Sequence, residues 1–432
     1  MSTETTFASL GLSPQSLTAL ERAGFTAPTP IQARSIPHAL AGRDVIGCAA
    51  TGTGKTAAFA LPMLERLANT RGTRALVLAP TRELAVQIAE QFARFAGPTG
   101  PRAATLIGGV SLGPQVRALQ ERPSILIATP GRLIDHLNQG SARLNEIEVL
   151  VLDEADRMLD MGFKPQLNRI LERVPKKRQT LLFSATIDGE VGKFAASHLV
   201  DPVRVEVTPA GTTAARATQQ VFMVGMNEKT PALLTLLDGN GESMLVFTRT
   251  KHRADRVARS LERAGHDVSR IHANRSQNQR QQALDGFKSG RYRVLVATDI
   301  AARGIDVAEI GHVVNYDLPN VPEDYVHRIG RTARAAASGR ASSLVSPEEL
   351  PLLRDIERFV RAPVPRGEID RTSAVFQREL QAAIDRPPPP RGPAPSHGQR
   401  HGASHAAPAA NPARGFSKRP PARAADRVRP RG

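Results

Sequence analysis

The run Ala49-Ala50-Thr51-Gly52-Thr53-Gly54-Lys55-Thr56 follows an apolar segment at 44–48 and precedes a helical pattern. Glycines let successive backbone N–H groups curl around phosphate oxygens, and a helix N-terminus adds a favourable dipole. Strand, loop and helix in that order are the context a phosphate-binding loop requires. Lys55 would then reach the β- and γ-phosphates of a nucleotide, and the Thr56 hydroxyl would ligate Mg2+. The general GxxxxGK[ST] pattern begins with Gly where this chain has Ala49, so the loop is a variant.

A second group lies at Val149-Leu150-Val151-Leu152-Asp153-Glu154-Ala155-Asp156, an apolar run that ends in acids. Ligands of open α/β sheets sit at the carboxyl ends of strands, which would bring Asp153 and Glu154 to the Lys55 crevice. Asp153 would hold Mg2+ through its water shell, and Glu154 would orient and deprotonate the attacking water. A third group is His327-Arg328-Ile329-Gly330-Arg331-Thr332-Ala333-Arg334, with helical spacing between Arg328 and Arg331. A phosphate loop with no arginine nearby needs a donor for transition-state charge, and arginines of another domain could supply it on closure. A basic surface for nucleic acid is the alternative reading of the same residues.

Short apolar runs at 44–48, 74–79, 124–129, 148–152 and 180–183 read as parallel strands buried on both faces. Helical patterns such as 81–96 and 164–173 separate them, the βαβ alternation of a doubly wound α/β domain. After turn-rich residues from 208 the alternation resumes, with strands expected at 220–224, 244–248, 268–271, 293–298 and 312–315. The segment 244–248, taken as the counterpart of the phosphate-loop strand, runs into Arg249-Thr250-Lys251 with no glycine loop, so one nucleotide is expected. The organisation is therefore an N-terminal domain over 1–207, a linker at 208–217, a second domain over 218–368 and a tail over 369–432. At 432 residues the chain is long enough for two such domains.

Composition bounds the partners. Lys and Arg number 58 against 41 Asp and Glu, a net charge of +17 that favours a polyanion, nucleic acid first and an acidic membrane surface second. With 14 Phe, 3 Tyr and no Trp, a protein built on aromatic base-stacking platforms is not expected. The single cysteine, Cys48, excludes a disulfide framework and a four-cysteine zinc site, and reads as a strand residue. No signal-peptide pattern or spanning apolar run is present, so a soluble protein of a reducing compartment is expected. Residues 387–432 hold nine cations, one Asp and 11 of the 33 prolines, and read as a disordered basic tail. Its Arg-Gly pairs suit a flexible tether that holds phosphates without reading bases; a solubilising tail without a partner is the other reading.

The ordered set of motifs resembles the DEAD-box ATP-dependent RNA helicases over roughly residues 7–365. The matching residues are Phe7, Gly24-Phe25 through Pro28-Thr29-Pro30-Ile31-Gln32, the 49–56 loop, and Pro80-Thr81-Arg82-Glu83-Leu84-Ala85. Gly108-Gly109, Thr129-Pro130-Gly131-Arg132, residues 153–156 and Ser184-Ala185-Thr186 follow. In the second half they are Val246-Phe247-Thr248, residues 277–280, Ala297-Thr298-Asp299 through Arg303-Gly304-Ile305-Asp306, and residues 327–334. The short N-terminus and the Pro/Ala-rich basic tail are most similar to the bacterial RhlE-like branch.

The resemblance implies two tandem RecA-like α/β domains with ATP and Mg2+ in the cleft between them. It implies that Gln32 reads the adenine edge, Phe25 packs on its face, and Thr51, Gly52, Thr53 and Gly54 cradle the phosphates. Asp306 would contact the ribose, with Arg331 and Arg334 as arginine fingers. Thr81, Arg82, Gly109, Thr129, Gly131 and Arg132 would grip the RNA backbone, joined by Arg280 and Thr298. Asp156, Ser184, Thr186, His327 and Arg328 would couple the domains. The implied partner is structured or duplex RNA, with ribosomal precursors or RNA-decay proteins behind it, no membrane, a monomeric state and a cytoplasmic location. An ATP-gated RNA clamp without productive unwinding, or a DNA helicase, would carry related motifs. Ala50, Ala273 and Ala333 depart from the family, standing where Gln, Gly and Gly are usual.

Overall fold

Runs of two to seven residues, most of them aliphatic, assemble two parallel sheets. The computed structural model describes residues 5–50, 52–187, 189–207, 217–239, 241–302, 310–332 and 339–385. The first sheet is built from β1 (Val45–Cys48), β2 (Ala75–Leu78), β3 (Ala103–Leu106), β4 (Ile125–Ala128), β5 (Val149–Leu152), β6 (Gln179–Ser184) and β7 (Val203–Glu206), in the order β3-β4-β2-β5-β6-β1-β7. The second comprises β8 (Ala217–Met223), β9 (Met244–Thr248), β10 (Val268–Ile271), β11 (Val294–Thr298), β12 (His312–Asn315), β13 (Gly339–Val345) and β14 (Arg366–Gly367), in the order β10-β11-β9-β12-β13-β8-β14. Every pairing in both sheets is parallel.

Successive strand residues face opposite sides, so a strand buried on both faces must be apolar throughout. Val149 and Val151 of β5 join a core with Ile31, Phe59 and Phe92, while Leu150 and Leu152 join another with Leu133, Met158 and Ile170. Helix Lys55–Leu67 supplies the largest share of the first core, and helix Arg82–Ala96 closes it with Ile88 and Phe92. Thr81 caps that helix by accepting the Leu84 N–H at 3.2 Å, a preferred N-cap arrangement.

Four strands lie outside the apolar runs picked out by sequence. β3 (Ala-Ala-Thr-Leu) and β7 (Val-Arg-Val-Glu) are the two edges of the first sheet, and β7 is half exposed. β14 is a two-residue edge of the second. β13 is interior yet carries two serines, because its neighbour β12 is polar too: Ser342 meets His312 at 2.8 Å, and Ser343 accepts from Asn315 at 3.0 Å. Paired polar groups are tolerated where unpaired ones are costly.

Two boundaries differ from expectation. Ala217, assigned to the linker, begins β8; the rest of that linker, residues 208–216, lies outside the described residues. Residues 369–385, assigned to the tail by composition, continue the second domain. Helix Ala374–Ile384 packs on helix Lys229–Asp238, and Phe376 is 1% exposed within the core that also holds Leu233 and Leu237. The tail proper, with its Arg-Gly pairs, lies outside the described residues.

The matching orders also correct an assignment. β8, not β9, holds the place that β1 holds in the first sheet. It is followed by Gly225-Met226-Asn227-Glu228 and then by Lys229-Thr230 opening a helix.

Candidate functional site

The loop after β1 turns on two left-handed glycines, Gly52 at φ 84° and Gly54 at φ 90°. A Cβ at Gly54 would collide with the Gln32 side chain, so this position needs glycine for space as well as for backbone. Gln32 is fully buried: its amide nitrogen donates to the Gly54 carbonyl at 3.1 Å, and its amide oxygen accepts the Thr29 N–H at 2.9 Å. The side chain expected to read adenine thus braces the phosphate loop. Phe25, half-buried on the same side, meets Phe95 edge-on at 5.4 Å. Thr53 donates to the Ala50 carbonyl at 2.8 Å, and the Lys55 ammonium donates to the Ala49 carbonyl at 2.8 Å. Thr56 is half-buried in the first helical turn, and Thr51 lies outside the described residues.

β5 delivers the acids to this loop. Glu154 sits in the left-handed region at φ 51°, a conformation rare for a residue with a side chain and frequent at working sites. Asp153 and Glu154 are 2% and 5% exposed. Burial pushes Asp153 up to about 7, against the pull of the Lys55 cation. Burial also raises Glu154, but Arg157, Lys55 and Arg331 together outweigh it and bring the group to about 2. Neighbouring carboxyls with opposed shifts are a signature of divided roles.

Asp156 ties the acids to β6. Its backbone N–H donates to the Ser184 hydroxyl at 3.3 Å, and its carboxylate accepts the N–H groups of Ala185 and Thr186 at 2.9 and 3.2 Å. Ser184 in turn accepts the Ala49 N–H through its carbonyl at 3.0 Å. The phosphate loop, the 184–186 turn and the acidic motif therefore form one hydrogen-bonded unit, which Thr186 joins through its backbone.

The second domain faces this unit. One small cavity is lined by Lys55, Glu154 and Arg157 of the first domain with Asp324 and His327 of the second. The next has Arg157 beside Phe247, Asp299, Arg328 and Arg331. Arg331, 4% exposed, is one of the cations that hold Glu154 ionised. Arg328 behaves differently: it grips both Asp299 oxygens at 2.6 and 2.7 Å, donates to Asn315 and to the Asp317 carbonyl, and stacks on Phe247 at 4.9 Å. These partners all belong to its own domain, so the arginine expected to couple the domains is a strut of the second. Arg334 and Asp306, like the Ala333 departure, lie outside the described residues.

The expected RNA residues gather at strand ends. Arg82 lies over Gly108 and Gly109, where a Cβ on Gly109 would strike its guanidinium. Burial, then the Arg280 cation, lower the Arg82 pKa. Arg132 donates to the Val110 carbonyl at 3.0 Å, and Gly131 beside it is open to solvent. Thr129 holds the N-cap of helix Pro130–Asn138 after β4, and Thr298 ends β11 in register with Thr248. Arg280, expected on the RNA, is 8% exposed, with Nε 2.9 Å from the buried Glu83 carboxylate, which also accepts from Gln277 at 3.3 Å. This bridge joins the two domains across 194 residues of sequence and was missed, because no local pattern couples Glu83 to Gln277.

A glycine loop and acids on one sheet, completed by an arginine from a second sheet of the same topology, define a two-domain nucleoside triphosphatase of the phosphate-loop class. Residues 29–194 match the DEAD/DEAH box helicase family and residues 228–336 match the helicase conserved C-terminal domain. The DEAD-box ATP-dependent RNA helicase CshA of Geobacillus kaustophilus is 42% identical over 384 residues, which is 88% of this chain and 82% of that one. S. cerevisiae Dbp5 bound to RNA and ADP BeF3 superposes with a TM-score of 0.77 at 32% identity, covering 88% of this chain and 99% of that one. Mss116p bound to ssRNA and AMP-PNP gives 0.81 at 28% identity, covering 89% and 84%. The chain belongs to the DEAD-box ATP-dependent RNA helicase family. Relatives at 41–43% identity carry the CshA description, so the RhlE-like branch finds no support among them.

Proposed function

We propose that ATP occupies the cleft between the two sheets, its phosphates on residues 49–56, and that RNA lies across the strand ends beside it. The observation that carries this reading is geometric: Arg331 of the second domain lines one small cavity with Arg157, the ion-pair partner of Glu154 in the first. Neither domain alone holds both groups, so turnover requires closure, and RNA bound across both domains would favour it.

Gln32 and Phe25 would take the adenine, Asp306 the ribose, and Thr51 to Thr56 the phosphates. The residues present fit Mg2+ arriving with the nucleotide: the Thr56 hydroxyl and Asp153, whose burial leaves it wanting a cation, would hold it mainly through water. Among the described residues no group of three or more His, Cys, Asp or Glu could hold the ion alone. When bound, Mg2+ supplies charge neutralisation at the β- and γ-phosphates. Glu154, ionised at neutral pH, would accept the proton of the attacking water once Arg157 yields. Arg331 and Arg334 would stabilise charge developing on the transferred phosphoryl group. Thr81, Arg82, Gly109, Thr129, Gly131, Arg132 and Thr298 would hold the RNA backbone without reading bases. Structured RNA, including ribosomal precursors, is the proposed substrate, acted on by a cytoplasmic monomer. Among the described residues no helix is long and apolar enough to cross a membrane.

A duplex-release assay tests the proposal. Release with ATP that fails with a non-hydrolysable analogue supports a helicase. Equal release with both supports an RNA clamp, and ATPase stimulated as strongly by DNA as by RNA would redirect the substrate.

A further inference from the structure

The helix Lys251–Arg263 leaves the carboxyl end of β9, capped by the Thr250 hydroxyl, and carries five Lys/Arg, one His and two acids. Its charges are sorted by face. At about 100° per residue, His252, Arg256, Arg259 and Arg263 fall within roughly 60° of one another, a single row about 17 Å long. All four are exposed. The two acids, Asp255 and Glu262, turn together towards β10, where Arg270 lies 3.6 Å from one and 3.4 Å from the other. Asp255 is further held by His272 at 3.1 Å and Arg275 at 3.6 Å. On the opposite flank Arg253 is paired with the buried Asp317. The acids that could neutralise the row are thus engaged by other cations, and among the described residues none of the row's four side chains makes an ion pair. Arg263 donates only to the Ser260 hydroxyl and the Arg259 carbonyl.

This arrangement works against the helix that carries it. Like charges three and four residues apart each destabilise a helix by about 0.2–0.5 kcal/mol, and Arg256/Arg259 and Arg259/Arg263 are two such pairs. A row that costs stability, with its counter-charges turned away, is matched to a polyanion. Its place names the polyanion. The row starts beside the carboxyl end of β9, where Thr248 pairs in register with Thr298, and runs away from the strand ends along the outside of the domain.

We propose that His252, Arg256, Arg259 and Arg263 form a second RNA-binding track, which takes the phosphate backbone of RNA extending beyond the segment held at the strand ends. The inference rests on RNA as the substrate. The track reads no sequence and supplies affinity rather than turnover: each phosphate engaged by a cation releases counter-ions, worth about 0.7 in the log–log salt slope on a single strand. It makes the protein favour RNA with a flanking extension over the same strand without one.

The test compares wild type with the Arg256→Gln/Arg259→Gln protein as full chains, using RNA-stimulated ATPase titrated with a short single strand and with that strand extended by a hairpin. Wild type should need less of the extended RNA for half-maximal activity. The variant should need about fivefold more extended RNA than wild type, with the short strand and the saturated rate unchanged, and its salt slope on the extended RNA should flatten by about 1.4. Arg256→Lys/Arg259→Lys keeps the charge and should restore most of the preference. Equal titrations for wild type and the Gln variant overturn the track, as does a Gln variant weakened equally on both RNAs or a Lys variant no better than the Gln one. Absence of RNA stimulation in wild type would instead overturn the substrate reading on which the track rests.

Discussion

Lys55 and Lys229 hold the same place in two sheets of one topology, each followed by threonine and each opening the helix after the equivalent strand. Their surroundings are opposite. Before Lys55 two left-handed glycines open a loop, and among the described residues its ammonium donates to the Ala49 carbonyl and lies in the field of Asp153 and Glu154. Before Lys229, Gly225 is at φ −66° and the chain closes into a tight turn at Met226–Glu228. Lys229 is 0% exposed, donates to the Tyr316 carbonyl at 2.8 Å, pairs with Glu349 at 2.5 Å and lies 3.6 Å from Asp317. Tyr316 and Asp317 follow β12 as Asp153 and Glu154 follow β5. The second domain therefore fills with its own carboxylates the volume that the first keeps for phosphate. A lysine and threonine at a helix start do not make a nucleotide site; the glycine loop before them does.

The comparison can be broken most sharply by exchanging the two phenotypes. Lys55→Ala should abolish ATP binding and lower the unfolding midpoint less than Lys229→Ala does, since its hydrogen-bond partner is a backbone carbonyl and Arg157 stays paired with Glu154. Lys229→Ala removes the fully buried cation from Glu349 and Asp317, leaving only the more exposed Arg249 and Arg253 to pair with them, and should cost about 3 kcal/mol of stability while the remaining folded protein still binds ATP. Nucleotide titration alongside thermal unfolding reads both. A Lys229→Ala protein of normal stability that loses ATP binding would mean that the second lysine works as the first does.

Arg328 and Arg331 sharpen the same contrast within one helical turn. Arg331→Ala should lower turnover by about 10³-fold with the fold intact, as for a lost arginine finger. Arg328→Ala should act first on stability, because it strands Asp299 and Asn315 inside the second domain. Single-turnover hydrolysis and unfolding of each variant separate the two.

What the sequence made legible follows from where the information is local. The phosphate loop, the acids after β5 and the continuously apolar strands are each set by neighbouring residues, and they stand where they were expected. β13 was not legible because its serines are satisfied by β12, a pairing invisible in either strand alone. The Arg280–Glu83 bridge was not legible because Glu83 is distant in sequence, and Lys229 escaped notice because only the strand order aligns β8 with β1. Arginines were the least legible residues: spacing shows that a guanidinium is present, whereas the fold decides whether it meets carboxylates, a phosphate or water.

The central claim is one nucleotide per chain, held by the first domain and closed on by the second. Glu154→Gln keeps the shape of the site and removes the base, so it should bind ATP without consuming it. Equilibrium binding of ATP to this variant in the presence of RNA should saturate at about one nucleotide per chain, with RNA released slowly only while ATP is bound. Two nucleotides per chain, or hydrolysis at the wild-type rate, would contradict the account.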